Sequence, residues 1–283
     1  MPHPADHAPG FRGVRFNADW ITRPVFGGLL AAAAVAAIFG GTPYIAALGA
    51  LAGGAALREW HRMVGERVFG PSFFVSTLAV VAALAVMVLW PHALYGWALL
   101  AAGAVLVSIT AAIGGQRPLW HGAGPLYVGI ALLSLVALRG APHGAWIIVG
   151  MFLAIWSTDT GALIVGNLVG GPRLWPSLSP NKTWSGTLGA VAVAAVAETI
   201  YVAVLGGHAV EAGLYGASIG VLAHCGDLAE SWVKRVFDRK DSGGMIPGHG
   251  GVLDRIDSTL LTAPVVTVCV LFAGLNPMFG AHP

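Results

Sequence analysis

Residues 231–257 read SWVKRVFDRKDSGGMIPGHGGVLDRID, the one stretch of this chain in which charge is dense. Largely apolar runs stand on either side, 211–230 before it and 258–276 after it. The stretch holds two of the three lysines and four of the thirteen acidic residues, in a protein that is only 10% charged. An ionic segment held between two membrane-length segments points to an all-α, polytopic integral membrane protein whose ionic chemistry is gathered at one edge of the bilayer.

The rest of the chain agrees with that class. Of its 283 residues 56% are hydrophobic, the mean hydropathy is +0.75, and the apolar residues come in uninterrupted runs and not in amphipathic stripes. A net charge of +2, with basic residues scattered over short loops, gives no nucleic-acid footprint, so no nucleic-acid partner is expected. Cys225 and Cys269 both fall in apolar segments and read as small core hydrophobes. Forty glycines, many inside apolar runs, read as devices for close helix approach in lipid.

About nine spans are expected, at 24–40, 43–57, 72–90, 93–113, 125–138, 144–165, 185–205, 211–230 and 258–276. Residues 1–23 then form an N-terminal tail without the features of a signal peptide. Residues 24–143 hold the N-terminal transmembrane helices, and 144–283 a catalytic transmembrane region with cytosolic loops at 166–184 and 231–257. With the N-terminus cytoplasmic and the C-terminus outside, fourteen of the fifteen Lys and Arg residues fall on the inner side, leaving Arg139 outside. An even number of spans would spoil that asymmetry.

Three segments carry polar groups that hydrocarbon would reject. In Trp156-Ser157-Thr158-Asp159-Thr160-Gly161 a carboxylate lies inside a predicted span, which makes Asp159 a functional candidate. Ser179-Pro180-Asn181-Lys182-Thr183-Trp184-Ser185-Gly186 sets a turn, polar caps and a cation at a helix start, the parts of an anion site. The third runs from Gly226-Asp227 through the charged stretch. Asp227, Ser231 and Lys234 are four and three residues apart, on one helix face, and Asp254 and Asp257 are three apart at the entry to the last helix. Oxygen donors without a His/Cys cluster favour a hard cation such as magnesium (Mg2+). Gly243-Gly244 and Gly248-His249-Gly250-Gly251 let backbone approach a ligand closely. Glu198, also inside a span, is expected to make an interhelical hydrogen bond.

The pattern Ser231-x-Val233-Lys234-Arg235-x4-Lys240-Asp241-x-Gly243-x2-Ile246-Pro247-x-His249-Gly250-Gly251-Val252-x-Asp254-Arg255-Ile256-Asp257 resembles the signature of the phosphatidate cytidylyltransferases, or CDP-diacylglycerol synthases. Gly226-Asp227-Leu228-x-Glu230-Ser231 and the block at 179–184 are similar to the same family, so the resemblance covers about residues 156–257. Two positions depart from it: Ser185 stands where the family commonly has Glu, and Leu163 where it often has Tyr.

The resemblance implies an enzyme of the inner cell membrane that joins CTP to phosphatidic acid at the cytosolic face, giving CDP-diacylglycerol and pyrophosphate. It implies magnesium, with carboxylates enough for a second cation, and a homodimer in the bilayer. Asp227, Asp254, Asp257 and Asp159 are then the metal candidates. Asp227, Asp254, Lys234, Lys240 and His249 are the catalytic candidates, with His249 as phosphate ligand, proton carrier or turn residue. Lys182, Asn181, Ser179, Ser231, Arg235, Arg255, Gly250 and Gly251 are the candidates for substrate binding. A CTP-dependent lipid-alcohol kinase shares only parts of the pattern. A transporter would distribute its charge across the bilayer, and a CDP-alcohol phosphatidyltransferase would carry a different aspartate spacing. Asp254→Asn or Asp227→Asn is expected to abolish turnover while leaving the protein inserted and folded. Activity surviving both substitutions at ordinary magnesium would sink the metal assignment.

Overall fold

The computed structural model describes residues 19–65, 69–91, 94–245 and 250–274, with backbone alone for 19–26. Among these there are nine α-helices and one two-stranded hairpin. In chain order they are α1 (Asp19–Gly40), α2 (Thr42–Met63), α3 (Pro71–Leu89), α4 (Tyr95–Ile113), α5 (Pro118–Gly140) and α6 (Gly144–Val169). Strands β1 (Arg173–Trp175) and β2 (Ser179–Thr183) follow, then α7 (Trp184–Val204), α8 (Ala209–Val236) and α9 (Leu253–Leu271). Proline stands in the first turn of α2, α3 and α5, where its missing N–H and fixed φ are suited.

Each helix overlaps one of the expected spans, and the chain is an all-α membrane protein. Five helices, α3 to α7, are long and apolar enough to cross a bilayer. Over its described side chains α1 is a shorter apolar helix, Gly27–Gly40, while α2, α8 and α9 interrupt their apolar runs with charged residues, among them Arg58, Glu59 and Arg62 in α2, Asp227 and Glu230 in α8, and Asp254 and Asp257 in α9. Several boundaries differ from the sequence expectation. Helix α5 begins at Pro118, seven residues before the expected start, because its first turns pack inward and leave His121 with no exposure. Helix α8 runs on to Val236 and α9 starts at Leu253, so the loop expected over 231–257 is confined to 237–252. The expected loop at 166–184 is shortened by α6 and folded into the antiparallel β1–β2 hairpin.

The helices gather in two groups. Helices α2 to α5 pack against one another, with α5 buried along much of its length, and α6, α7 and α8 form the second group. Helix α9 joins them, touching α2 and α5 on one side and α6 and α8 on the other. Leu57, Leu133, Leu138, Ile147, Ile148 and Met151 fill the interior. Large apolar side chains such as Leu51, Ile113, Leu168 and Val204 project outward at 76–83% exposure, the inversion expected of a surface solvated by lipid. Cys225 is exposed and Cys269 half-buried, both free thiols. The expectation of core cysteines therefore fails at Cys225, since a lipid-facing surface accepts a small apolar side chain as readily as a core does.

Glu198 also departs from expectation. Its side chain is fully buried in α7, yet neither carboxylate oxygen has a hydrogen-bond partner. Gly150 and Gly216 let α6 and α8 close around it: a Cβ at Gly216 would lie 2.6 Å from the Glu198 Cβ and 2.6 Å from the Ala194 carbonyl oxygen. Backbone cannot yield as a flexible side chain can. Gly216→Ala is expected to destabilise the protein by about 1–3 kcal/mol, read as a lowered melting temperature in detergent. Gly28→Ala, where nothing lies within 4 Å, is the comparison and should leave melting unchanged or slightly raised.

Candidate active site

Thr183 ends the hairpin and caps α7, its hydroxyl oxygen accepting the Gly186 N–H at 3.1 Å. Ser185 of α7 donates to the Gly170 carbonyl at the end of α6, and within the hairpin Arg173 donates to the Asn181 carbonyl at 3.1 Å. A Cβ at Gly186 would lie 3.0 Å from the Ala162 carbonyl oxygen, a measure of how closely α7 approaches α6 there. These contacts hold the hairpin over a cleft of about 350 Å³ between α6, α7 and α8.

Three separated stretches of sequence meet in that cleft. Asp159 and Asn167 come from α6, Asn181 and Lys182 from β2, and His224 and Asp227 from α8. Lys182 Nζ lies 2.5 Å from Asp227 Oδ2, and Ser231 donates to Asp227 Oδ1 at 3.3 Å. Asp159, read from the sequence as a carboxylate inside a span, here shares a cleft with a cation and a second carboxylate. Ser179 opens β2 opposite Trp175 and is not among the residues lining the cleft.

A second polar cluster joins α8 to α9. Lys234 Nζ lies 2.8 Å from Asp254 Oδ1 and 3.3 Å from Glu230 Oε1, and Glu230 is fully buried. Asp254 also accepts the Gly251 N–H at 3.0 Å and the Ser242 N–H at 3.3 Å. Burial would push the Asp254 carboxyl up. The hydrogen bond and charge of Lys234, together with the Gly251 amide, outweigh burial and hold it at about 2. Lys234 is shifted upward although its burial acts the other way, because Glu230 and Asp254 both favour the ammonium. Gly250 has φ +81°, a left-handed conformation that suits glycine, and a Cβ on it would lie 3.3 Å from Asp254 Oδ2.

Asp257 lies one turn further along α9, accepting the Ser258 N–H at 2.6 Å. Its carboxyl is raised, first by burial and then by the charges of Asp227 and Asp159. The α8–α9 crossing at Gly226 creates this crowding, since a Cβ there would lie 2.7 Å from the Asp257 carbonyl oxygen. Oxygen donors that repel one another fit a hard cation. Among the described residues no three acidic, His or Cys side chains come together as a metal-binding group.

The structure therefore sorts the four metal candidates: Asp159, Asp227 and Asp257 influence one another, while Asp254 is engaged by Lys234 and two loop amides. Arg235 donates to the Arg239 carbonyl at 3.2 Å at the end of α8. Lys240 and Arg255 are exposed. His249 lies outside the described residues.

A family model described as the cytidylyltransferase family matches residues 21–273. The chain belongs to the cytidylyltransferase family. Its similar relatives include a phosphatidate cytidylyltransferase of Brucella suis biovar 1 (strain 1330), 45% identical over 172 residues, covering 59% of this chain and 62% of the relative. Another, of Bacillus subtilis (strain 168), is 41% identical over 142 residues, covering 49% of this chain and 53% of that protein. A third, of Rickettsia bellii (strain RML369-C), is 36% identical over 151 residues, covering 50% and 65%. The matches thus span less than two thirds of these relatives' length.

Among the polar residues at the site to which the sequence assigned no role, Glu230 and His224 were within reach, three residues either side of Asp227 on one helix face. Glu59 was not. It sits in α2 and meets the charged loop through hydrogen bonds that cross 183 and 194 residues of chain. The two ion pairs differ in burial: side-chain exposure is 21% and 33% for Lys182–Asp227 but 13% and 15% for Lys234–Asp254. Double-mutant cycles in detergent, with Met for Lys and Asn for Asp, should therefore give about 1.5–3 kcal/mol of coupling for the second pair and at most about 1 kcal/mol for the first. Equal couplings would show that burial does not separate them.

Proposed function

We propose that this chain transfers the cytidylyl group of CTP to phosphatidic acid, forming CDP-diacylglycerol and pyrophosphate. The observation that carries this reading is the union of the Lys182–Asp227 pair with Asp159 in one cleft, beside the Asp257 carboxyl and the Lys234–Asp254 cluster. Both reactants are anions, and each must be neutralised before their phosphates can approach.

In this reading a phosphate oxygen of the lipid attacks the α-phosphorus of CTP, and the bond from that phosphorus to the bridging oxygen breaks as pyrophosphate leaves. Lys182 exchanges Asp227 for a substrate phosphate when the cleft fills, which frees the carboxylate as a ligand. Asp227 and Asp257 would hold magnesium, with Asp159 close by. Bound there, the metal would supply charge neutralisation of the phosphates and of the departing pyrophosphate. Asp254 holds the Lys234 ammonium in place as a second cation for phosphate oxygens. The attacking phosphate is already ionised near neutral pH, so the reaction calls for positioning more than for a general base.

The same reading places the site on the cytosolic side of the cell membrane, with nine spans, the N-terminus inside and the C-terminus outside. The concentration of Lys and Arg on one side of the expected spans supports this orientation. A lipid-alcohol kinase would attack the γ-phosphate of CTP and release CDP. Purified protein incubated with CTP, magnesium and either phosphatidic acid or a long-chain lipid alcohol separates the two. CDP-diacylglycerol and pyrophosphate are expected, whereas a phosphorylated lipid with CDP would overturn the proposal in favour of the kinase.

A further inference from the structure

Glu59 belongs to the first group of helices, yet it is 98% buried against the charged loop of the second. Its Oε2 accepts the N–H of Leu253 at 2.9 Å and the hydroxyl of Ser242 at 3.2 Å. Leu253 is the first residue of α9, so the carboxylate sits where unpaired amides and the helix dipole favour an anion. Gly243 and Gly251 press their backbones against the same carboxylate, and a Cβ on either would overlap its oxygens. A side chain at either place would have to displace the Glu59 carboxylate, and at Gly251 the Ser242 hydroxyl as well.

The far side of the same two segments is held by Asp254. Ser242 gives its backbone N–H to Asp254 and its hydroxyl to Glu59. Gly251 gives its N–H to Asp254 while lying against Glu59. Residues 242–243 and 251–253 are thus gripped between two carboxylates, one from each half of the chain. Asp254 in turn fixes Lys234. Any displacement of the segments moves the cation that the proposed chemistry needs.

We propose that Glu59 is a positioning residue: from α2 it fixes both flanks of the charged loop and so sets where Asp254 and Lys234 sit. Its consequence for turnover rests on the activity proposed above, while its grip on the loop does not. The contact also gives the N-terminal helices a part in the site, through Ser242, Gly243, Gly251 and Leu253, none of which lines the Asp159–Asp227 cleft.

The test compares the full chain in detergent with Glu59→Ala, Glu59→Gln and Ser242→Ala. It measures kcat and KM for CTP with phosphatidic acid and magnesium, and hydrogen exchange in peptides covering 242–245 and 250–253. Glu59→Ala is expected to lower kcat about 100-fold with KM for CTP within about threefold of the parent, and to speed exchange in both peptides. Glu59→Gln keeps an oxygen for the Leu253 amide and should retain kcat within about tenfold, with exchange near that of the parent. Ser242→Ala, which removes one bond and leaves the helix-start contact, should fall between the parent and Glu59→Ala in both readouts. Glu59→Ala with kcat within about twofold and unchanged exchange would overturn the proposal. So would Glu59→Gln as inactive as Glu59→Ala with exchange unaltered, because the charge itself would then be at work. If Glu59→Ala does not fold, Ser242→Ala and Glu59→Gln decide by the same two readouts. If the parent makes no CDP-diacylglycerol, the activity proposal fails, and the exchange comparison alone decides whether Glu59 holds the loop.

Discussion

The Lys234–Asp254 ion pair is the contact on which the arrangement of the polar side depends. It joins the end of α8 to the first turn of α9 across a chain separation of 20 residues, at side-chain exposures of 13% and 15%. A buried carboxylate must recover the hydration it loses, and here it does so from an ammonium and from the amides of Ser242 and Gly251. Those three donors lie at the end of a helix, on one flank of a loop and on the other. Satisfying one carboxylate therefore fixes the geometry of the whole segment.

That constraint works because α9 is wedged between the two groups of helices. On the α8 side Gly226 brings the backbones together, and Ser258 donates to the Ala223 carbonyl at 3.2 Å. On the α5 side the Thr267 hydroxyl donates to the Ser134 carbonyl at 3.2 Å. The Asp257 carboxyl of α9 is thereby brought under the influence of the charges of Asp159 in α6 and Asp227 in α8. Lipid cannot drive such a junction by hydrophobicity, so it rests on close backbone approach and on hydrogen bonds that hydrocarbon leaves without competitors. Glu198 is the contrasting case. It is more deeply buried, yet neither of its carboxylate oxygens has a hydrogen-bond partner.

The membrane class, the segments carrying helices and the family resemblance were legible in the residues. Apolar runs, helix-starting prolines and the order of Lys234, Gly251, Asp254 and Asp257 are local properties of the chain. Asp227, Asp159 and Lys182 could each be singled out because an ionised group within or beside an apolar run has few structural explanations. Helix ends were read less well. Whether α8 continues through Ser231–Val236 depends on the ion pairs that Lys234 finds after folding, and the start of α5 depends on what its first turns pack against.

The chain by itself thus determined that this is a helical membrane protein with one concentrated polar segment, because hydropathy and residue spacing act over a few turns at most. Only the tertiary structure decided which charges meet. It paired Lys182 with Asp227 and Lys234 with Asp254, crowded Asp257 against Asp227 and Asp159, and carried Glu59 from α2 to the loop between α8 and α9. Those choices follow from helix packing over separations of up to 194 residues, and no periodicity or local motif encodes a distance of that kind.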